Sequence, residues 1–194
     1  MKFNLKTIIP VILLLILILS GLSWLYFEDN SSSYSLHEGY HIHADFAVIL
    51  NSERVNFSKE EYMDIGENIH LHDMNPDVVH YHKENLSMID FFNNLNMTLN
   101  STCFGYYDEA FCNNQTHSLL MVVNGNFTEN FDYVPNDLDR ILIYYGNQGN
   151  ETIMNYFQEN VTDKACIYSE KCPERGTAPP EECGGDSCIV NIFE

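Results

Sequence analysis

Twenty consecutive residues without a charge, Ile8 to Phe27, constrain this chain more than any other feature of its sequence. As a helix they would span about 30 Å, the hydrocarbon thickness of a bilayer. In lipid a backbone must satisfy its own hydrogen bonds, so residues 8–27 are expected to form a transmembrane helix. The rival reading is a cleaved signal peptide, whose apolar region is shorter and ends at a small-residue site. Here Ser20-Gly21-Leu22-Ser23 is a poor cleavage site, and Trp24, Tyr26 and Phe27 suit a membrane interface. Lys2 and Lys6 precede the run, and Glu28 and Asp29 follow it. Excess positive charge marks the cytoplasmic side, so residues 1–7 are expected inside the cell, with residues 8–27 as a signal-anchor and the rest outside.

Charge, cysteine usage and glycosylation motifs agree with an extracytoplasmic location at the cell membrane. All 28 acidic residues lie beyond the apolar run with seven of the nine basic ones, a net charge of −21 for that part. Such a domain repels nucleic acid and anionic lipid, which excludes nucleic-acid binding as its business. Cys103, Cys112, Cys166, Cys172, Cys183 and Cys188 are even in number and form no C-x-x-C pair, as expected of structural disulfides in an oxidising compartment. The acceptor motif N-x-[ST] occurs at Asn30, Asn56, Asn85, Asn96, Asn100, Asn114, Asn126, Asn150 and Asn160. Chance would place roughly two or three such motifs in a chain of this composition, so surface glycosylation is expected.

Patterning beyond the run predicts an α+β domain, a small mixed sheet with one or two packed helices, with a β-grasp-like arrangement as the finer expectation. Residues 28–37 read as a polar stalk, 38–150 as the folded ectodomain, and 151–194 as a short helix followed by a Cys-rich tail. His41 to Leu50 alternates strictly, with His41, His43, Asp45, Ala47 and Ile49 on one face. That pattern predicts a half-buried strand. Asn51-Ser52-Glu53 reads as a turn into a second strand through Val55 and Phe57.

Ile69 to His82 reads as a hairpin around Asn75-Pro76-Asp77. Ser87 and Asp90 have capping-box spacing ahead of a Met88, Phe91, Phe92, Leu95 stripe, which predicts a helix. Residues 98–118 read as a loop tied by Cys103 and Cys112. Strands follow at Leu119–Val123, ending in the hairpin signal Asn124-Gly125, and at Arg140–Tyr145. A helix is expected from Glu151 to Val161.

The histidines carry the chemistry. Seven of eight lie between His37 and His82, and six form the pairs His41/His43, His70/His72 and His80/His82. On a strand, residues two apart share a face, so each pair presents two imidazoles to one side. With a three-residue loop at 75–77, His72 would sit opposite His80 and His70 opposite His82. Opposed Cβ atoms lie about 4.5–5.5 Å apart, close enough for ring nitrogens to share an ion at about 2.0–2.1 Å.

Asp45 would join from the first strand, and Asp73 and Asp77 could bind or orient ligands, although a turn role suits Asp77 better. Imidazole with carboxylate suits copper, zinc or nickel, and paired cysteines offer no thiolate, so copper or zinc is expected. One such pair is ordinarily a hydrogen-bonded or solvent-facing pair of histidines. Three pairs within 42 residues are harder to explain by packing, although a buried imidazole network or pH switch is an intermediate reading. His37 is expected to stand outside the set.

The motifs HIHADF at 41–46, HLHD at 70–73, VVHYH at 78–82, IDFF at 89–92, VNG at 123–125, DRILIYYG at 139–146, and CPERG with PPEEC at 172–183 recur together here. In this combination the chain resembles an uncharacterised family of small membrane-anchored or exported prokaryotic proteins. The resemblance covers nearly the whole ectodomain and implies a shared fold with a His-rich face. Some members are loosely labelled disulfide isomerases, an activity that relies on a C-x-x-C this chain lacks. The expected function is a metal-binding surface module. The alternatives are a structural or adhesive glycoprotein domain, and a metalloenzyme or thiol-disulfide protein, for which no catalytic signature stands in the sequence.

Overall fold

The computed structural model describes residues 40–179 together with 183–184 and 187–188. The expected transmembrane run, the stalk, His37 and Asn30 lie outside these residues. Among the described residues no helix is long and apolar enough to cross a membrane.

Strand β1, Ile42–Leu50, is the axis of the fold. Its even residues Ala44, Phe46, Val48 and Leu50 enter one core, while Ala47 and Ile49 enter a second. The half-buried strand expected from alternation is therefore buried on both sides. A layer covers each face, so the apolar residues of both sets leave water. The His41, His43, Asp45 positions occupy the N-terminal half of the second face.

A two-residue turn at Asn51 and Ser52, both at positive φ, returns the chain into β2, Glu53–Arg54. This is the backbone that a tight hairpin requires. Strands β3, Ile69–Leu71, and β4, Val78–Tyr81, form the next hairpin, and β4 runs antiparallel to β1. Helix α1, Met88–Asn94, starts at the expected capping box: Ser87 Oγ accepts from the Asp90 amide, and the Ser87 amide donates to Asp90 Oδ2 at 2.8 Å. Met88, Phe91 and Phe92 bury its apolar stripe in the first core, each side chain contributing about 1.5–3 kcal/mol.

Residues 98–118, expected as a loop, instead hold β5, Thr98–Leu99, β6, Cys103–Tyr106, and β7, Glu109–Cys112. Cys103 and Cys112 are direct strand partners and form a disulfide. The ladder and the buried Phe104 outweigh the Asn-rich, turn-like composition. The hairpin signal at Asn124-Gly125 is realised between β8, Ser118–Val123, and β9, Asn126–Thr128, with both turn residues at positive φ. Strand β10, Arg140–Gly146, then pairs in parallel with β1, Asp45 opposite Arg140 through Leu50 opposite Tyr145.

The result is an α+β arrangement whose main mixed sheet has seven strands in the order β3-β4-β1-β10-β8-β9, with β2 beside β1. Helix α2, Asn150–Asn160, buries Ile153 and Phe157 against Ala47, Ile49, Val122, Leu142 and Tyr144. A short α3, Ala165–Tyr168, follows on the same side of β1. Both helices, residues 150–160 and 165–168, thus pack back onto the sheet. Cys166 and Cys172 form a second disulfide, and Cys183 and Cys188 are register partners between β11, Cys183–Gly184, and β12, Ser187–Cys188.

Candidate metal centre

Strand pairing alone brings the H-x-H pairs together. His43 lies opposite His80 across β1 and β4, and His80 lies opposite His70 across β4 and β3, a row of three imidazoles on adjacent strands. The expected register of the β3–β4 hairpin is corrected by two residues: His70 faces His80, and the His82 amide donates to the Asn68 carbonyl at 2.9 Å. The connection runs from residue 72 to 77, because Asp73 and Met74 both adopt positive φ and the chain turns earlier than Asn75. A shift of two preserves the side-chain face, whereas a shift of one would have reversed it.

All six expected histidines therefore belong to one continuous cluster. Ring centroids lie 4.4 Å apart for His41 and His82, 4.5 Å for His41 and His43, and 4.6 Å for His43 and His80. His70 lies 5.0 Å from His82 and 5.9 Å from His80, and His72 lies 5.6 Å from His80. His80 is the hub and is fully buried, with His43 and His70 scarcely more exposed. The remaining described histidine, His117, stacks on Tyr145 instead.

The tightest grouping among the described residues is His41, His80 and His82, whose candidate ligand nitrogens all lie within 4.8 Å of one another. In a tetrahedral site ligand nitrogens are about 3.4 Å apart, so side-chain rotations of about 1 Å close the difference. Neutral imidazole is the form that ligates, and two hydrogen bonds fix tautomers suited to it. His70 Nδ1 donates to the Gly66 carbonyl at 2.8 Å, which can only accept, so its lone pair is on Nε2.

His43 Nδ1 lies 2.7 Å from Ser169 Oγ, whose single proton goes to Asp137 Oδ1 at 2.5 Å. Ser169 must then accept from His43, and here too Nε2 keeps the lone pair. His72 has the opposite arrangement: its Nδ1 accepts the Asp73 amide at 2.8 Å. Asp64 and Asp73 oxygens stand 3.6 and 3.3 Å from the same nitrogen.

The carboxylates have other work. Asp45 is buried on the histidine face, but its oxygens accept from the Thr162 hydroxyl, from the Lys164 amide at 2.8 Å and from the Ala165 amide at 3.0 Å. It anchors the start of α3. Burial pushes its carboxyl above the usual range, against those hydrogen bonds. Asp77 sits in the turn as expected and binds Arg54 at 2.6 Å and Lys164 at 2.5 Å. Burial raises its pKa, but the two cations outweigh burial and bring it below the ordinary value. Asp137 is likewise carried low, with burial overcome by Lys171, Ser169 and the His43 amide.

Three contributors had no signal in the sequence: Tyr168, Ser169 and Asp137. The Tyr168 ring lies 5.0 Å from His80 and 5.7 Å from His43, and its hydroxyl accepts from Asn75 Nδ2 at 2.9 Å. Beside it opens a cleft of about 420 Å³, lined by Met74, Pro76, Lys164, Ile167, Tyr168 and Arg175 among others. No family model, no curated protein and no solved structure matches this chain.

Proposed function

We propose that this chain is a membrane-anchored, extracytoplasmic module that binds a transition metal, copper or zinc, through its clustered imidazoles. The observation that carries the reading is the convergence of His41, His80 and His82, three nitrogen donors within 4.8 Å, inside a set of six rings on one sheet face. Imidazole nitrogens suit zinc and copper, and among the described residues no free cysteine competes for the ion. The N-terminal apolar run and its flanking charges support the anchor and the outward orientation. We also read the sheet, with its parallel central pair flanked by antiparallel neighbours, as β-grasp-like.

A site with these three protein ligands alone would leave a coordination position for water or a substrate, whereas a fourth protein ligand would close it. The cleft that shares Tyr168 with the cluster therefore favours a second reading, a metalloenzyme of unassigned substrate. Elemental analysis of the purified full-length protein, with melting curves before and after a chelator, tests the main reading. Near-stoichiometric copper or zinc and a chelator-sensitive midpoint are expected. Metal-free protein whose melting is indifferent to both ions would overturn it.

A further inference from the structure

We propose that the disulfide-closed segment Cys166–Cys172 is a working part of the metal site, with Ser169 as a positioning residue that makes His43 a fourth imidazole ligand beside His41, His80 and His82. The inference rests on the metal-binding reading and extends it to residues far from the histidine motifs. Four bonds place the segment. Asp45 holds the amides of Lys164 and Ala165 at its start, the Cys166–Cys172 disulfide closes it, and Lys171 Nζ donates to Asp137 near its end. Between these points Tyr168 lies against His43 and His80, and Ser169 reaches His43.

The chemistry of the contact is specific. A metal-ligating histidine ordinarily gives its other ring N–H to an oxygen acceptor, which sets the tautomer and the ring orientation. The Asp137 carboxylate can only accept, so it takes the Ser169 proton and makes Ser169 the acceptor for His43 Nδ1–H. The same carboxylate oxygen receives the His43 amide at 3.0 Å, which ties backbone and ring of one residue to one anchor. The His43 ring is 4.5 Å from that of His41 and 4.6 Å from that of His80. Its nitrogens stand outside the group that lies within 4.8 Å, so the ring must turn inward to ligate, and its orientation decides whether it does. The disulfide matters because a segment this short has little packing of its own to hold a hydroxyl in place. Asp45, buried among the histidines yet spent on α3, then has a role in the site after all, through the segment it anchors.

The test uses the full-length protein, purified with its disulfides intact, and zinc(II) and copper(II) as probes. Zinc affinity is measured by competition with a chromophoric chelator, and copper(II) ligation is read from the nitrogen hyperfine structure of its electron paramagnetic resonance spectrum. Ser169→Ala is expected to weaken zinc about 10–100-fold and to change the copper spectrum, as loss of an outer partner of a metal-bound histidine does. Ser169→Thr, which keeps the hydroxyl, should stay near wild type. Cys166→Ser with Cys172→Ser should weaken zinc at least as much as Ser169→Ala. If that double variant does not fold, the two Ser169 variants decide the matter. A Ser169→Ala protein with wild-type zinc affinity and an unchanged copper spectrum would overturn the proposal while leaving the metal-binding reading intact, whereas a wild-type protein that binds neither ion would overturn both.

Discussion

Replacing His41 and His82 together with Ala should abolish metal-dependent stabilisation while leaving the metal-free fold nearly as stable as before. Both rings are only partly buried at strand ends, and they stack on each other at 4.4 Å. Their loss removes little apolar packing, and the metal-free cost should stay within about 1 kcal/mol. The effect on binding is far larger, because two of the three nitrogens in the tight group disappear. At free metal about a hundred times the dissociation constant, binding to the folded state alone stabilises by about 2.7 kcal/mol. For a chain of this length that corresponds to a rise in Tm of about 5–10 °C. Losing even an outer-shell partner weakens metal about 10–100-fold, and losing two ligands should exceed that. At the same metal concentration a hundredfold loss leaves only about 0.4 kcal/mol, a shift of about 1 °C. Differential scanning fluorimetry with and without zinc or copper reads both quantities. A double variant that keeps the full wild-type shift would show that the ion sits elsewhere and refute the geometric argument.

Asp45→Ala should cost about 2–4 kcal/mol in urea unfolding, since the hydroxyl of Thr162 and the amides of Lys164 and Ala165 lose their acceptor; a change under about 0.5 kcal/mol would remove its anchoring role. Asp77 has a depressed pKa in the fold, so its ion pairs contribute stability that is fully present above the unfolded value near 4 and is lost as pH falls through the lower folded value. Asp77→Asn should therefore flatten the acid limb of a stability-against-pH curve, and an unaltered limb would contradict the assignment. Alkylation of the unreduced protein should label no cysteine, with Cys103–Cys112 and Cys166–Cys172 recovered as linked peptides and Cys183 joined to Cys188. Protease added to intact cells should digest the region beyond the apolar run and spare a short anchored stub, and recovery of a mature form beginning after Ser23 would contradict the anchor.

Local structure was legible wherever one short-range rule decided it. The Asn124-Gly125 turn needs two residues at positive φ, the Ser87 and Asp90 spacing closes a capping box, and the alternation of 41–50 sorts side chains to two faces without reference to the rest of the chain. The same period of two made the shared face of the six histidines readable, and that conclusion survived a hairpin register wrong by two residues. Register itself was not readable. It depends on where the chain reverses, and Asp73 and Met74 take a left-handed conformation that nothing in their residue types demands.

Burial of β1 on both sides was decided by α2, more than a hundred residues away in the chain, which covers the face that alternation left for water. The partners of the site were decided the same way. Tyr168 and Ser169 reach the histidines because Asp45 and a disulfide hold their segment against β1, and Asp137 reaches them from the loop before β10, where it accepts the His43 amide and Leu138 donates to the His43 carbonyl. Sequence by itself determined the residue types, the periodicity and hence the imidazole face. Which nitrogens converge, which tautomers they hold and what orients them were decided by tertiary structure, because those depend on contacts between residues whose separation along the chain carries no local signal.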